Sequence, residues 1–393
     1  MLDQSVLAQC GPGPLGVAVS GGGDSTALLW LLHQAGYQLT AATVDHGLRA
    51  ESADEADAVA RLCKSMGIPH ETLRWTGVEG GNLQQAAREG RQKLLAEWIR
   101  RHGGRSVALG HTIDDVAETL LMRLARGSGP DGLAAMEPVR NAQGITWLRP
   151  LLQVRRAELR DLLRDQQINW ADDPSNSDVR FERARIRHAM TNLRLEPERL
   201  AQAATSLRDV RHAAIATTDA LIAECVTFTA LGEAVIAPKV YADAPADLRY
   251  RLLRVLTYWM NGQRHAPRHD LIAQMDNCLR EGGEMAGAGL LIRQSKSSVH
   301  LRREPRAVAS WTADHCWDHR WRITKTRSDD QVMPLATHDR ESWPRMGAPH
   351  PAELARTVPT LVQTGLAPVI PGGAAMSHGM IRLIPFTMSA RSR

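Results

Sequence analysis

Eleven residues near the amino terminus, Gly16-Val17-Ala18-Val19-Ser20-Gly21-Gly22-Gly23-Asp24-Ser25-Thr26, constrain this chain more than any other stretch. An apolar run enters three consecutive glycines and then a segment with Leu28, Leu29, Leu31 and Leu32 at helical spacing, which reads as strand, glycine loop and helix. Such a junction binds phosphate. Glycines let the backbone approach an anion and take up positive φ cheaply, while the first amides of the helix point at the ligand. Ser20 and Ser25 add hydroxyl donors, and Asp24 can orient the loop or help hold a metal ion. Gly16 and Gly21 have the spacing of a P-loop, but Gly22 and Gly23 stand where that loop needs Lys and Ser or Thr.

The alternation continues. Leu39–Val44 reads as a second strand, Ser52-Ala53-Asp54-Glu55 as a capping box opening a helix to Met66, and residues 70–75 as a third strand. Asn82 caps a helix through Arg101, Arg105–Leu109 is a fourth strand, and Ile113–Arg126 a fourth helix. Four strand–helix units in a row predict a doubly wound parallel sheet, with ligands beyond the carboxyl ends of its strands. Ser20–Ser25, Asp45-His46 and Gly110-His111 all fall there.

Beyond this come a helix at Arg155–Gln166 and an arginine-rich stretch to about Leu195. Residues 200–282 read as mainly helical with breaks near Gly232 and Gly262, and 285–303 as short strands. Charges, prolines and glycine interrupt 325–352, and Val358–Val362 and Ala367–Ile370 are short strand candidates. The expected architecture is α/β: a Rossmann-like domain over 1–200, a mainly helical domain over 201–310, and a small α+β module over 311–393.

Charge is segregated along the chain. Residues 1–85 hold four Lys or Arg against nine Asp or Glu, about −5, which leaves about +10 on the rest of a chain whose net charge is +5. A polyanion is therefore expected to bind mainly outside the first part of the nucleotide fold. No run of 18 apolar residues is present, and Met1-Leu2-Asp3-Gln4 lacks a signal-peptide layout, so no membrane span is expected. Cys10, Cys63, Cys225, Cys278 and Cys316 form no C-x-x-C or zinc spacing, as expected for reduced thiols in the cytoplasm.

Two further constellations carry chemistry. Gly110-His111-Thr112-Ile113-Asp114-Asp115-Val116-Ala117-Glu118 sets three acids on the opening turns of a helix, where they either favour the helix dipole or hold Mg²⁺ or an ammonium group beside His111. Arg123 and Arg126 lie one turn apart, on a solvated face or against phosphates. Arg180, Arg183, Arg185, Arg187 and Arg194 stand against a single acid, Glu182, a density that favours nucleic acid.

Ser20–Ser25 match the S-G-G-x-D-S signature of the PP-loop ATP pyrophosphatases, which cleave ATP between its α and β phosphates. Together with Val44-Asp45-His46-Gly47-Leu48-Arg49, Asn82–Arg88, Gly110–Met136, Arg149-Pro150-Leu151-Leu152 and Asp172–Asn176 with Arg183–Arg187, they resemble the tRNA(Ile)-lysidine synthetase family over nearly all of residues 15–190. The chain departs from the family at Ala184, where an asparagine is common.

The resemblance implies a two-step reaction on the wobble cytosine of a tRNA(Ile) with a CAU anticodon. ATP adenylates the C2 oxygen and releases pyrophosphate; the ε-amine of free L-lysine then attacks C2 and expels AMP. It implies that Ser20, Gly21, Gly22, Gly23, Asp24 and Ser25 cradle the phosphates, with Asp45, His46, Arg88 and Gly110 also at the nucleotide. Asp24, His111, Asp115 and Glu118 are the expected catalytic residues, Asp24, Asp115 and Glu118 being also the expected Mg²⁺ ligands. Arg123, Arg126, Arg149, Arg180, Arg183, Arg185 and Arg187 are expected to meet tRNA. Oligomeric state stays open, with a homodimer as one option. The rivals are a PP-loop tRNA thiolase, whose cytosine-modifying forms usually need paired cysteines that this chain lacks, and a non-catalytic ATP-sensing RNA-binding protein, for which the acid cluster has no use.

Overall fold

The computed structural model describes residues 1–45, 51–77, 83–171, 180–229, 231–261, 267–295, 297–308, 316–318, 320–323, 331–334, 356–362 and 381–383. The chain divides into a unit of residues 1–212 and a second beginning at Ala213.

In the first unit, after a single turn α1 (Gln4–Leu7), the order is β1 (Leu15–Ala18), α2 (Gly23–Gln34), β2 (Leu39–Asp45), α3 (Glu51–Ser65), β3 (His70–Arg74), α4 (Leu83–Arg101), β4 (Ser106–Leu109) and α5 (Ile113–Ala125). A short α6 (Pro130–Leu133), the hairpin β5 (Val139–Ala142) and β6 (Ile145–Leu148), α7 (Arg156–Asp165) and α8 (Glu182–Asn192) follow. The division between units falls within α9 (Pro197–Cys225).

The sheet order is β3-β2-β1-β4-β6-β5, parallel except for the antiparallel edge strand β5. Successive strand residues point to opposite faces. Val17, Ala41, Ala108 and Leu148 pack with Leu28, Leu29 and Leu32 of α2 and Leu159 and Leu163 of α7, while Ala18, Ala42, Val107 and Trp147 pack with Leu95, Trp98 and Ile99 of α4. Helices thus cover both faces, as the sequence predicts. Strand order reverses between β1 and β4, and the loops after these two strands flank a crevice there.

Two local readings are corrected. α3 begins at Glu51, so Ser52 lies inside the helix and is not its cap. The β5–β6 hairpin is an addition: Gln143 and Gly144 turn it with φ of 56° and 74°, the pair of positive values of a two-residue I′ turn, but Gln-Gly is a weak form of that signal.

In the second unit β7 (Val226–Phe228) and β8 (Ala234–Ile236) form a hairpin around Gly232, inside the stretch expected to be mainly helical. α10 (Pro238–Asp243), α11 (Ala246–Asn261) and α12 (His269–Glu281) follow, then β9 (Met285–Gly287), β10 (Leu290–Gln294) and β11 (Val299–Arg303). These strands make a sheet in the order β7-β8-β11-β10-β9, whose Ile236, Ile292 and Leu301 pack with Leu252, Leu256 and Ile272 of the helices. Short strands complete the description: β12 (Cys316–Trp317), β13 (Trp321–Ile323), β14 (Gln331–Pro334), β15 (Pro359–Val362) and β16 (Ile381–Leu383). β15 matches the expected strand, whereas Ala367–Ile370 lies outside the described residues. Among those residues no helix is long and apolar enough to cross a membrane.

Candidate active site

The loop after β1 is held by its own serines. Gly21 takes a φ of +87°, a conformation costly for any side chain. The Ser20 amide donates to Ser25 Oγ at 3.1 Å, the Ser25 hydroxyl donates to the Gly22 carbonyl at 3.0 Å, and the two hydroxyl oxygens stand 3.1 Å apart. α2 is capped by Gly22, which makes no side-chain cap bond and leaves the first amides of the helix for a ligand. The loop is clamped on two sides. The Ala171 amide donates to the Gly21 carbonyl at 2.9 Å. At Gly110 a Cβ would fall 2.9 Å from Ser25 Cα and 3.0 Å from the Asp24 carbonyl carbon, so only glycine lets the loop after β4 lie against the loop after β1.

The acids of α5 divide their work. Asp115 Oδ2 accepts from the Thr112 amide at 2.9 Å and from its hydroxyl at 3.1 Å, which caps the helix. Its Oδ1 turns to Arg156 Nη2 at 3.1 Å. The same guanidinium donates through Nε to Asp24 at 2.9 Å and through Nη1 to Glu118 at 2.9 Å, so one cation joins acids from two strand–helix junctions. Arg187 Nε adds a 2.6 Å bond to Glu118, whose side chain is 1% exposed. Asp114 instead accepts from the Arg156 amide at 2.8 Å and so caps α7.

Burial pushes the Asp24 carboxyl above the ordinary range despite Arg156. Burial pushes Asp115 the same way, but there the charge of Arg156 and the Thr112 amide win, and the group ends below the ordinary range. For Arg156, burial opposes the charge and the three acids more than offset it.

A cavity of about 330 Å³ opens over the loop, within the usual range for small-molecule sites. Its lining includes Ser20, Gly22–Ser25, Gly110, His111 and Asp115, the apolar Ala18, Leu95, Leu109 and Trp147, and seven arginines (88, 91, 149, 156, 160, 183 and 187). Arg88, Arg91 and Arg183 make no hydrogen bond or ion pair among the described residues. Cationic side chains left uncommitted around a partly enclosed space are the footprint of an anionic ligand.

The expected site residues separate into two groups. Ser20–Ser25, Arg88, Gly110, His111, Asp115, Arg149, Arg183 and Arg187 meet at the cavity, and Glu118 stands behind Arg156 and Arg187. The others lie elsewhere. Asp45 closes β2 without lining the cavity, and His46 and Asp172–Asn176 lie outside the described residues. Arg123 donates to the carbonyls of Gly132 and Ala134 at 2.7 and 3.1 Å and so holds a turn. Arg126 is exposed and paired with Glu182, and Arg185 donates to the Arg180 carbonyl at 2.8 Å. Arg156, Arg91 and Arg160 are additions to the expected set. One signal for Arg156 was present in the sequence: cations in the first turn of a helix oppose its dipole, and Arg155-Arg156 open α7.

The expected Mg²⁺ ligands meet a protein cation instead of an open site. Asp24, Asp115 and Glu118 do converge, but on the guanidinium of Arg156, and among the described residues no three His, Cys, Asp or Glu side chains are placed to hold one metal ion. The three acids do not fit a resident metal in this arrangement.

Residues 4–194 match the PP-loop domain model. A tRNA(Ile)-lysidine synthase of Ruegeria pomeroyi is 40% identical over 358 residues, an alignment that covers 88% of this chain and 85% of that protein. The chain belongs to the tRNA(Ile)-lysidine synthase family. A family member from Hyphomonas neptunium is likewise 40% identical, over 74% of this chain and 82% of its own length. Among solved structures a U34-tRNA thiolase from Methanococcus maripaludis, with its [4Fe-4S] cluster, aligns at 18% identity and a TM-score of 0.45 over 53% of this chain and 76% of that one. The two lysidine synthase relatives match 88% and 74% of this chain.

Proposed function

We propose that the chain uses ATP to adenylate the C2 oxygen of the wobble cytosine of a CAU-anticodon tRNA(Ile), and then joins free L-lysine through its ε-amine to C2 with release of AMP. A pyrimidine carbonyl oxygen is a poor leaving group and AMP a good one, which is what the first step accomplishes. The observation that carries the reading is the juxtaposition, in one cavity, of a phosphate loop, a buried acid cluster and a surplus of arginines. Preorganised donors aimed at the transferring group supply most of the catalysis in phosphoryl chemistry.

Ser20–Ser25 and the α2 amides hold the α and β phosphates, and Arg88 and Arg91 neutralise the departing pyrophosphate. The acid cluster of Asp24, Asp115 and Glu118 receives the lysine ammonium, with Asp24, whose carboxyl is pushed up by burial, suited to take its proton. Magnesium enters with ATP as the counter-ion of its phosphates. Arg183 and Arg187 meet the anticodon arm, and residues 201–310 hold the body of the tRNA, with 311–393 as a small additional module. The reaction takes place in the cytoplasm.

The test is incorporation of labelled lysine into a tRNA(Ile) transcript with ATP and Mg²⁺. Stoichiometric AMP, pyrophosphate and tRNA-bound lysine are the expected products; AMP and pyrophosphate without lysine transfer would remove the second step, and their absence would remove the whole reading.

A further inference from the structure

Arg149 follows β6 and its side chain is buried, with Nη1 donating to the Glu137 carbonyl at 2.7 Å and Nε directed at His111 Nδ1 at 3.3 Å. A guanidinium has donors and no acceptor, so this contact has one polarity: Nδ1 accepts. The proton of the neutral imidazole is then on Nε2. Nε2 meets no acceptor among the described residues, and the ring lines the cavity next to Gly110, whose backbone abuts Asp24 and Ser25.

The charges around the ring favour the same neutral form. Burial, Arg149, Arg91 and Arg183 oppose protonation and outweigh the opposite pull of Asp115, and together they push the imidazole down to about 3.

We propose that His111 is a fixed Nε2–H donor to an anionic phosphoryl oxygen of the nucleotide bound at the loop, and that Arg149 is the positioning residue that sets this tautomer. With Nδ1 occupied and Nε2 protonated, the ring has no lone pair with which to accept a proton from lysine; His111 polarises the transferring group and the acid cluster handles the ammonium. The role as donor rests on the proposed ATP chemistry, whereas the tautomer does not.

Two measurements separate these. Long-range proton–nitrogen spectra of the full-length protein with labelled histidine, assigned by loss of one signal in His111→Gln, are expected to show His111 with a bare Nδ1 and a protonated Nε2 from pH 5 to 8. In Arg149→Met the signal shifts toward a mixture of tautomers and titrates within that range. A protonated Nδ1 or an imidazolium at pH 6 in the unsubstituted protein would overturn the assignment even if the enzyme makes lysidine.

For the donor role, ATP-dependent AMP and pyrophosphate formation is compared in His111→Gln, whose amide nitrogen reaches the Nε2 position, and His111→Asn, whose amide nitrogen reaches only Nδ1. The Gln protein retains turnover within about tenfold, while the Asn protein loses on the order of 100-fold, the range for deleting one donor to a developing oxyanion. Equal losses in both variants would refute the donor while leaving the tautomer standing.

Discussion

In the second unit Arg249, Arg302, Arg303 and Arg320 are buried against carboxylates: Arg249 on Asp276, Arg302 on Glu233, and Arg303 and Arg320 together on Asp318. Around the cavity of the first unit, Arg88, Arg91 and Arg183 make no ion pair with a carboxylate among the described residues. The same side chain is used as a structural pin in one place and held in reserve in the other. The pinned arginines are buried with their counter-charge built into the fold, whereas Arg88 and Arg183 are exposed and Arg91 half-buried, their counter-charge left to a ligand.

The contrast makes opposite expectations for substitutions, and the largest effect falls on the pinned side. Asp276→Ala strands the buried Arg249 and removes the acceptor of the Tyr241 hydroxyl, bonded at 2.7 Å. Breaking a buried pair from one side costs about 3–5 kcal/mol. Urea unfolding followed in the second unit should show that loss, while the specific activity of the folded fraction in pyrophosphate release stays unchanged; a drop below about 1 kcal/mol would mean the pair is not a pin.

On the cavity side the first expectation concerns pH. His111 is neutral in the folded chain, pushed down to about 3 by burial and by Arg149, whereas the unfolded ring takes its proton near the ordinary 6.5. The unfolded state therefore binds the extra proton between these values, and stability falls as pH drops below 6.5, by at most about 1.4 kcal/mol per unit. Melting curves between pH 7 and 5 for the parent and for His111→Gln should diverge, with the variant flatter.

Arg91→Ala carries the comparison to binding. Removing a cation crowded by Arg88 should leave stability within about 0.5 kcal/mol of the parent and weaken ATP roughly tenfold by calorimetric titration. A clear destabilisation with unchanged affinity would move Arg91 into the pinned class. The smallest effect is expected at Arg126, whose ion pair with Glu182 is exposed: Arg126→Ala should change unfolding free energy by less than about 1 kcal/mol.

How far the sequence foretold this arrangement depends on whether the cause of a feature is local. The first four strands, their helices and the crevice follow from periodicity, glycine and strand order, all of which act within a few residues. The β5–β6 hairpin did not, because its Gln143-Gly144 turn is a weak form of the usual signal and its strands are only four residues long. Among site residues, the loop and the α5 acids were legible as motifs. Arg156 was not, since it reaches Asp24 across 132 positions of sequence and its meaning comes from that partner. The arginines illustrate the same limit: nothing in the local pattern separates Arg183 at the cavity from Arg123, which holds a turn, or Arg149, which holds a histidine.

The contact of Gly110 with the backbone of Asp24 and Ser25 has a mechanical side. With atoms already at van der Waals distance, the loop bearing the serines and the loop bearing His111 cannot slide past each other, and they behave as one stiff jaw. The arginines of α4 and α8 line the same cavity on long side chains, so any adjustment to a ligand falls to them rather than to the clamped loops.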